Sequence, residues 1–286
     1  MSPGRGTALV LGASSGLGAD VASRLAGLMS TLFVHGATVA EVARLRAEVA
    51  ERERSCRVVP VSADFASFRD TREMMRRCAV ASDGLDMIVN AVERLPPQSF
   101  VVTEDGNELT WQVNYLAPAL VVLGLAPLLR DSPDGRIVQV VRDQHRIGVP
   151  RADDAERRER YQPVSAYTDA KLALLTLSRA LAGRLRGTSC RSISMQPAGV
   201  DTGLAPAPLS RGLMVDAVLY ACTSPGVPNG AYLRGRWSHP LPRAAGGAAG
   251  QRRLWRATCD ALRLDVRTGR PMRRDDPVRG VLTRGR

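Results

Sequence analysis

The chain has 286 residues, 44% of them hydrophobic, with a formal net charge of +12. That length suits one α/β domain with additions, the apolar fraction supplies a sizeable core, and no apolar run approaches the ~20 residues of a membrane span. The charge is concentrated in residues 234–286, with 14 Arg against 4 Asp, and no aromatic interleaving or nucleic-acid motif accompanies it, so it reads as a solvated tail and not as a nucleic-acid surface.

Five dispersed cysteines (Cys56, Cys78, Cys190, Cys222 and Cys259), with no Cys-x-x-Cys pair, read as free thiols of a reducing cytosol. The N-terminus enters a strand pattern at once, so no signal peptide is expected and the placement is cytoplasmic. His35, His145 and His239 have no cysteine near them, and no metal site is expected.

In chain order, residues 7–11 form a buried-strand run. A glycine-rich turn over 12–18 follows, then a helix to about residue 28. A second strand covers 31–34 and a charged amphipathic helix 39–54. Strand 57–61 precedes helix 68–81, and strand 85–90 precedes a long apolar helix over 107–130. Strand 136–141, helix 165–185 and strand 191–195 continue the alternation. Repeated βα units with continuously apolar strands predict a Rossmann-type, doubly wound parallel sheet in three layers. The charge-dense stretch 151–160 reads as a solvated excursion, and 240–250, rich in Pro, Gly and Ala, as a linker. A last amphipathic helix is expected over 251–264. The organisation is therefore one domain over 1–264 and an Arg-rich tail over 265–286, expected to be disordered.

Gly12-Ala13-Ser14-Ser15-Gly16-Leu17-Gly18 stands between the first strand and the first helix. Glycines there allow a tight turn and close backbone approach, and the helix N-terminus offers N–H groups to a pyrophosphate. Lys171 is the only lysine among 40 basic residues, and it follows Tyr167 by four positions. On a helix such a pair shares a face, and a compact ammonium is not replaced by a guanidinium fork.

Gly12–Gly18, Asp64, Asn114, Tyr167 and Lys171 together resemble the short-chain dehydrogenase/reductase family, over roughly residues 5–264. Segments 103–114, 167–185 and 229–264 look most like its retinol-dehydrogenase and WW-domain-oxidoreductase branch. The resemblance implies an oxidoreductase acting on a carbonyl or alcohol of a small-molecule substrate. It implies Tyr167 as the general acid/base, helped by Lys171, with Asn114 anchoring a proton path. Cofactor contacts are implied for Gly12, Ser14, Ser15, Gly16, Leu17, Gly18, Ala37, Asp64, Phe65, Asn90, Ala91, Tyr167 and Lys171. Pro197, Val200 and Thr202 are implied near the nicotinamide carboxamide. A homodimer or homotetramer through the apolar stretches 117–129 and 172–181 is likewise implied, although the same faces can simply pack on the sheet.

Four departures qualify the implied chemistry. Val141 and Arg142 stand where the family closes its fifth strand with two serines, so Arg142 takes the catalytic serine position. Val92 stands where a glycine lets the backbone approach the cofactor. Ala37 supplies neither the Arg of NADP-users nor an acid for a ribose hydroxyl, and Ser14, Ser15 and Thr38 then favour NADP(H) over NAD(H). The stretch 202–230 is shorter than the branch's usual substrate cover. Two alternatives stay open: a non-redox isomerase or cyclase using Tyr167 and Arg142, and a non-catalytic binding or regulatory protein.

Overall fold

A computed structural model describes residues 6–129, 131–142, 148, 158–197 and 210–269. Eight strands form one sheet: β1 (Thr7–Leu11), β2 (Thr31–Gly36), β3 (Arg57–Ser62), β4 (Met87–Asn90), β5 (Arg136–Val140), β6 (Arg191–Gln196), β7 (Tyr232–Arg234) and β8 (Trp237–His239). Their order is β3-β2-β1-β4-β5-β6-β7-β8. All pairings are parallel except β7 with β8. The chain reverses its direction of travel at β1 and β4, and in such sheets ligands bind outside the carboxyl ends at that switch.

Helices cover both faces, which is why β1, β4 and β5 are buried along nearly their whole length. On one face lie α1 (Gly16–Ala26) and α2 (Val39–Arg52), joined by α6 (Arg211–Thr223). The other carries α3 (Phe68–Val80), α4 (Leu109–Leu129) and α5 (Pro163–Arg184). Glu108 starts α4 by accepting from the N–H groups of Thr110 and Trp111 at 2.8 and 2.7 Å. One turn of α4, Gln112–Leu116, is π-helical: the Ala117 N–H reaches back five residues to the Gln112 carbonyl.

By length and composition α4 could cross a membrane, contrary to the expectation that no run comes close, but 94% of its apolar window is buried inside the protein. It is a core helix. A further helix, α7 (Ala248–Leu262), lies outside α4 and α5 and buries Leu254, Trp255, Cys259 and Leu262 against them. The apolar stretches that could have paired subunits are thus covered within one chain.

Elements α6, β7 and β8 are additions to the predicted set, and β7–β8 is a short hairpin through Gly235, whose φ is +60°. The expected linker over 240–250 contains a helical turn, Arg243–Gly246, and the first residues of α7. The expected disorder past residue 264 does not start there. Val266 accepts from the Trp255 indole N–H at 2.8 Å, and Asp265 caps the turn through Thr268. Residues 270–286 and most of the charged stretch 151–160 lie outside the described residues.

Candidate active site

The turn after β1 is built around a histidine. Gly12 takes φ +73°, and its N–H donates to His35 Nδ1 at 3.1 Å, while His35 Nε2 lies 3.1 Å from the Ala63 carbonyl. These partners define the neutral tautomer with its proton on Nε2. Phe65 stacks on the ring with centroids 4.2 Å apart. Burial, against weaker help from the Ala63 hydrogen bond and Glu41, lowers the His35 pKa from 6.5 to about 4. A Cβ on Gly12 would come within 2.8 Å of Val92 Cα, so glycine here lets the turns after β1 and β4 touch.

These turns open on a cavity of about 580 Å³. Gly12, Ser14, Ser15, Gly16, Leu17, Gly18, Ala37, Asp64, Phe65, Ala91, Arg142 and Lys171 line it. Val92 joins them; the residue is 7% exposed and belongs to the apolar cluster that includes α4. At the end of the cavity near β2, Glu41 also lines the wall. It completes a capping box on α2, its Oε2 accepting from the N–H groups of Ala37 and Thr38 at 3.0 and 3.2 Å. Thr38 Oγ1 accepts from the Glu41 N–H, the reciprocal half of the cap.

At the other end, α5 presents Tyr167 and Lys171 one turn apart. Lys171 is 2% exposed, and its Nζ donates to the Val92 carbonyl at 2.7 Å. Burial lowers its pKa to about 8, with Glu93 opposing the shift and Arg142 adding to it. The Tyr167 hydroxyl donates to Glu93 Oε1 at 2.6 Å. The other oxygen of Glu93 takes Arg142, through Nε at 3.2 Å and Nη2. One carboxylate therefore joins the phenol of α5 to the guanidinium that follows β5.

The protonation states follow from this contact. Burial raises the Tyr167 pKa, and the hydrogen bond and charge of Glu93 raise it further, with Arg142 opposing. Burial also works to raise Glu93, but hydrogen bonds from Arg142 and Tyr167 and the nearby positive charges outweigh it and leave its pKa lowered. The ground state is a neutral phenol on a carboxylate.

Each of the two asparagines holds backbone of the segment after β4. Asn90 is fully buried: its Nδ2 donates to Gln139 Oε1 at 2.7 Å and its Oδ1 accepts from the Val92 N–H at 3.1 Å. Asn114, on the π-helical turn, accepts from the Arg94 N–H at 3.0 Å and donates to the carbonyls of Arg94 and Thr110 at 2.9 and 3.1 Å. It fixes the segment carrying Glu93. Pro197 is buried just after β6, and Val200 and Thr202 lie outside the described residues.

Sequence reasoning missed Glu93, Glu41 and His35. Glu93 directly follows the turn after β4, and an ionisable residue at the carboxyl end of a central strand was a usable signal. Thr38-x-x-Glu41 has capping-box spacing. The role of His35 left no signal, because an isolated histidine at a strand end does not reveal its partners.

Residues 6–209 match the family model described as short chain dehydrogenase. The chain belongs to the short chain dehydrogenase family. Among curated relatives of this short chain dehydrogenase is mouse (Mus musculus) retinol dehydrogenase 12, 26% identical over 224 residues, covering 78% of this chain and 68% of the relative. Mouse retinol dehydrogenase 14 is 30% identical over 217 residues, covering 69% and 62%. Mouse polyprenol dehydrogenase is 33% identical over 211 residues, covering 71% and 62%. The match thus spans about two thirds of the relatives' length. A solved structure from Mycobacterium paratuberculosis shares the fold with a TM-score of 0.69, 24% identity, and coverage of 92% of this chain and 95% of the other.

This short chain dehydrogenase has room for the nicotinamide dinucleotide its family binds. Gly16, at φ +58°, has nothing within 4 Å of where a Cβ would stand. Ser15 occupies the N-cap of α1 without a side-chain hydrogen bond, and the first turn holds no acid. Open space and free N–H groups at a helix N-terminus suit a pyrophosphate. Among the described residues there is no group of three or more His, Cys, Asp or Glu placed to hold a metal ion.

Proposed function

We propose that this chain oxidises an alcohol or reduces a carbonyl on a small molecule, with a nicotinamide dinucleotide held in the cavity. One observation carries the reading: Tyr167 and Lys171 stand one turn apart on α5, beside the cavity that the glycine turn and α1 open onto. The bound cofactor would supply or take up the hydride. The chain's own groups orient the substrate, hold charge and move the proton. Tyr167 carries the proton nearest the substrate oxygen. Lys171, held by the Val92 carbonyl, places one positive charge on the cavity wall. Arg142 takes the position of the family's serine, so a guanidinium replaces a hydroxyl as donor to that oxygen, a role worth ~2.7–4 kcal/mol in comparable sites.

For the nucleotide, Ser14 and Ser15 remain available hydroxyls in support of NADP(H). Glu41, however, brings a carboxylate to the same end. A ribose 2′-hydroxyl can donate to a carboxylate, whereas a 2′-phosphate is repelled by it. We therefore infer NAD(H) as the better-bound form. The five buried, unpaired cysteines fit a cytoplasmic setting.

Titration of the purified protein with NADH and NADPH, followed by nicotinamide fluorescence or calorimetry, is the first test. Absence of binding by either at millimolar concentration sinks the reading. The three relatives above are named for retinol or polyprenol, so isoprenoid alcohols come first in the substrate screen, with Tyr167→Phe as control. Turnover that survives loss of the phenol removes Tyr167 from its role.

A further inference from the structure

We propose that Glu93 is a catalytic proton acceptor: in alcohol oxidation Tyr167 receives the substrate's proton only as it passes its own to Glu93 Oε1. This rests on the oxidoreductase reading above. The geometry supports it. The Tyr167 hydroxyl points at the carboxylate over 2.6 Å, a distance at which a proton moves without rearrangement. Glu93 is positioned from both sides. Arg142 holds Oε2, and Asn114 clamps the backbone of the next residue, Arg94. The Glu93 side chain is 31% exposed and lines the cavity, so a proton placed on it has a way to water. The charged and titratable groups facing it are Tyr167 and Lys171 of α5 and Arg142 after β5.

The alternative route, a tyrosinate formed beforehand beside Lys171, is opposed here. Lys171 Nζ lies 5.5 Å from the Tyr167 ring centroid, with a hydrogen bond to the Val92 carbonyl, while a carboxylate touches the phenol itself. An anionic Tyr167 would sit against an anionic Glu93. In the coupled step the alcohol O–H breaks and its proton joins the Tyr167 oxygen. The Tyr167 O–H breaks and its proton joins Glu93. A bound oxidised nicotinamide would take up the hydride from the carbinol carbon, which balances the oxidation of the alcohol to a carbonyl. Glu93 then releases one proton to water.

The test is the pH profile of alcohol oxidation in wild type, Glu93→Gln and Glu93→Asp. Gln keeps an oxygen that accepts from Tyr167 but cannot take its proton. Wild type is expected to give a pH-independent kcat/KM across the neutral range, with its acid limb below the usual carboxylate pKa of ~4.3. Glu93→Gln must wait for tyrosinate. With a phenol pKa of ~10, its rate falls ~1,000-fold at pH 7 and recovers tenfold per pH unit upward. Glu93→Asp restores the flat profile at a reduced level. Ultraviolet titration of tyrosinate without cofactor, with Tyr167→Phe as baseline, is expected to show a lower Tyr167 midpoint in Glu93→Gln. A Glu93→Gln profile that stays flat overturns the proposal and leaves the oxidoreductase reading standing. So does a wild-type profile that already climbs with pH. Cofactor binding without turnover of any alcohol defeats both, and the spectroscopic shift would then mark Glu93 as a structural partner of Tyr167 only.

Discussion

His35 makes the stability of the glycine turn depend on pH, and the size of that dependence can be worked out. In the folded protein its pKa is lowered from 6.5 to about 4, chiefly by burial. The unfolded chain binds a proton at about pH 6.5 and the folded chain does not, so stability is full above that pH and drains away as pH falls toward 4. At ~1.36 kcal/mol per pKa unit the whole window amounts to ~3 kcal/mol, of which ~2 kcal/mol is lost between pH 7.5 and 5. A protonated ring also cannot accept from the Gly12 N–H, so the turn loosens with the fold. Urea denaturation at half-unit pH steps, on wild type and His35→Gln, measures this directly. Gln can accept and donate but does not titrate, so the variant is expected to lack the slope between pH 6.5 and 4.5. Glu73, whose pKa is lowered to about 2 by hydrogen bonds from Arg76 and Arg77, loses its contribution only below ~4.5 and affects both proteins alike. Parallel losses in wild type and variant would refute the assignment of a neutral, doubly bonded His35.

Gly12→Ala combines a left-handed φ with a Cβ inside contact distance of Val92. A loss of roughly 1–3 kcal/mol in stability and of detectable cofactor binding is expected, read by thermal unfolding and fluorescence titration. Glu41→Gln keeps a capping oxygen but removes the charge. It should strengthen NADPH binding about fivefold, since a like-charge contact near ~4 Å in water costs ~1 kcal/mol, and leave NADH nearly unchanged in the same titration. Trp255→Ala empties a fully buried site beneath the Arg184 guanidinium, which stacks 3.4 Å from the ring centroid. It is expected to cost ~3–5 kcal/mol in denaturant titration. Because α7 covers α4 and α5, the chain is expected to run as a monomer in light scattering, against the dimer or tetramer that the resemblance implied.

Much of the fold was readable because periodicity is a local property. The first six strands and six of the seven numbered helices show as periodic apolar runs, and their boundaries shift by only a few residues. The hairpin β7–β8 was missed because three-residue strands are too short to show a period. Helix α6 was missed because it follows a stretch without motif and buries residues on several sides. In the site, residues tied to a motif were legible: the glycine turn and the Tyr167–Lys171 pair are spacing patterns. Glu93 was not, because its meaning lies in two partners 49 and 74 positions away in the chain. The same holds for Asn114: its position on α4 was anticipated, but its attachment to the Arg94 backbone arises only in three dimensions.

The layering of α7 over α4 and α5 also has a consequence during synthesis. Of the described core elements, α7 leaves the ribosome last, more than 60 residues after α5 is complete. Until then the outer faces of two strongly apolar helices have nothing to close against, and a nascent chain in that state is prone to aggregate or to be held by chaperones. A stop codon or frameshift between the end of α5 and Leu254 would leave that face permanently uncovered, even though every described residue that lines the cavity had already been made.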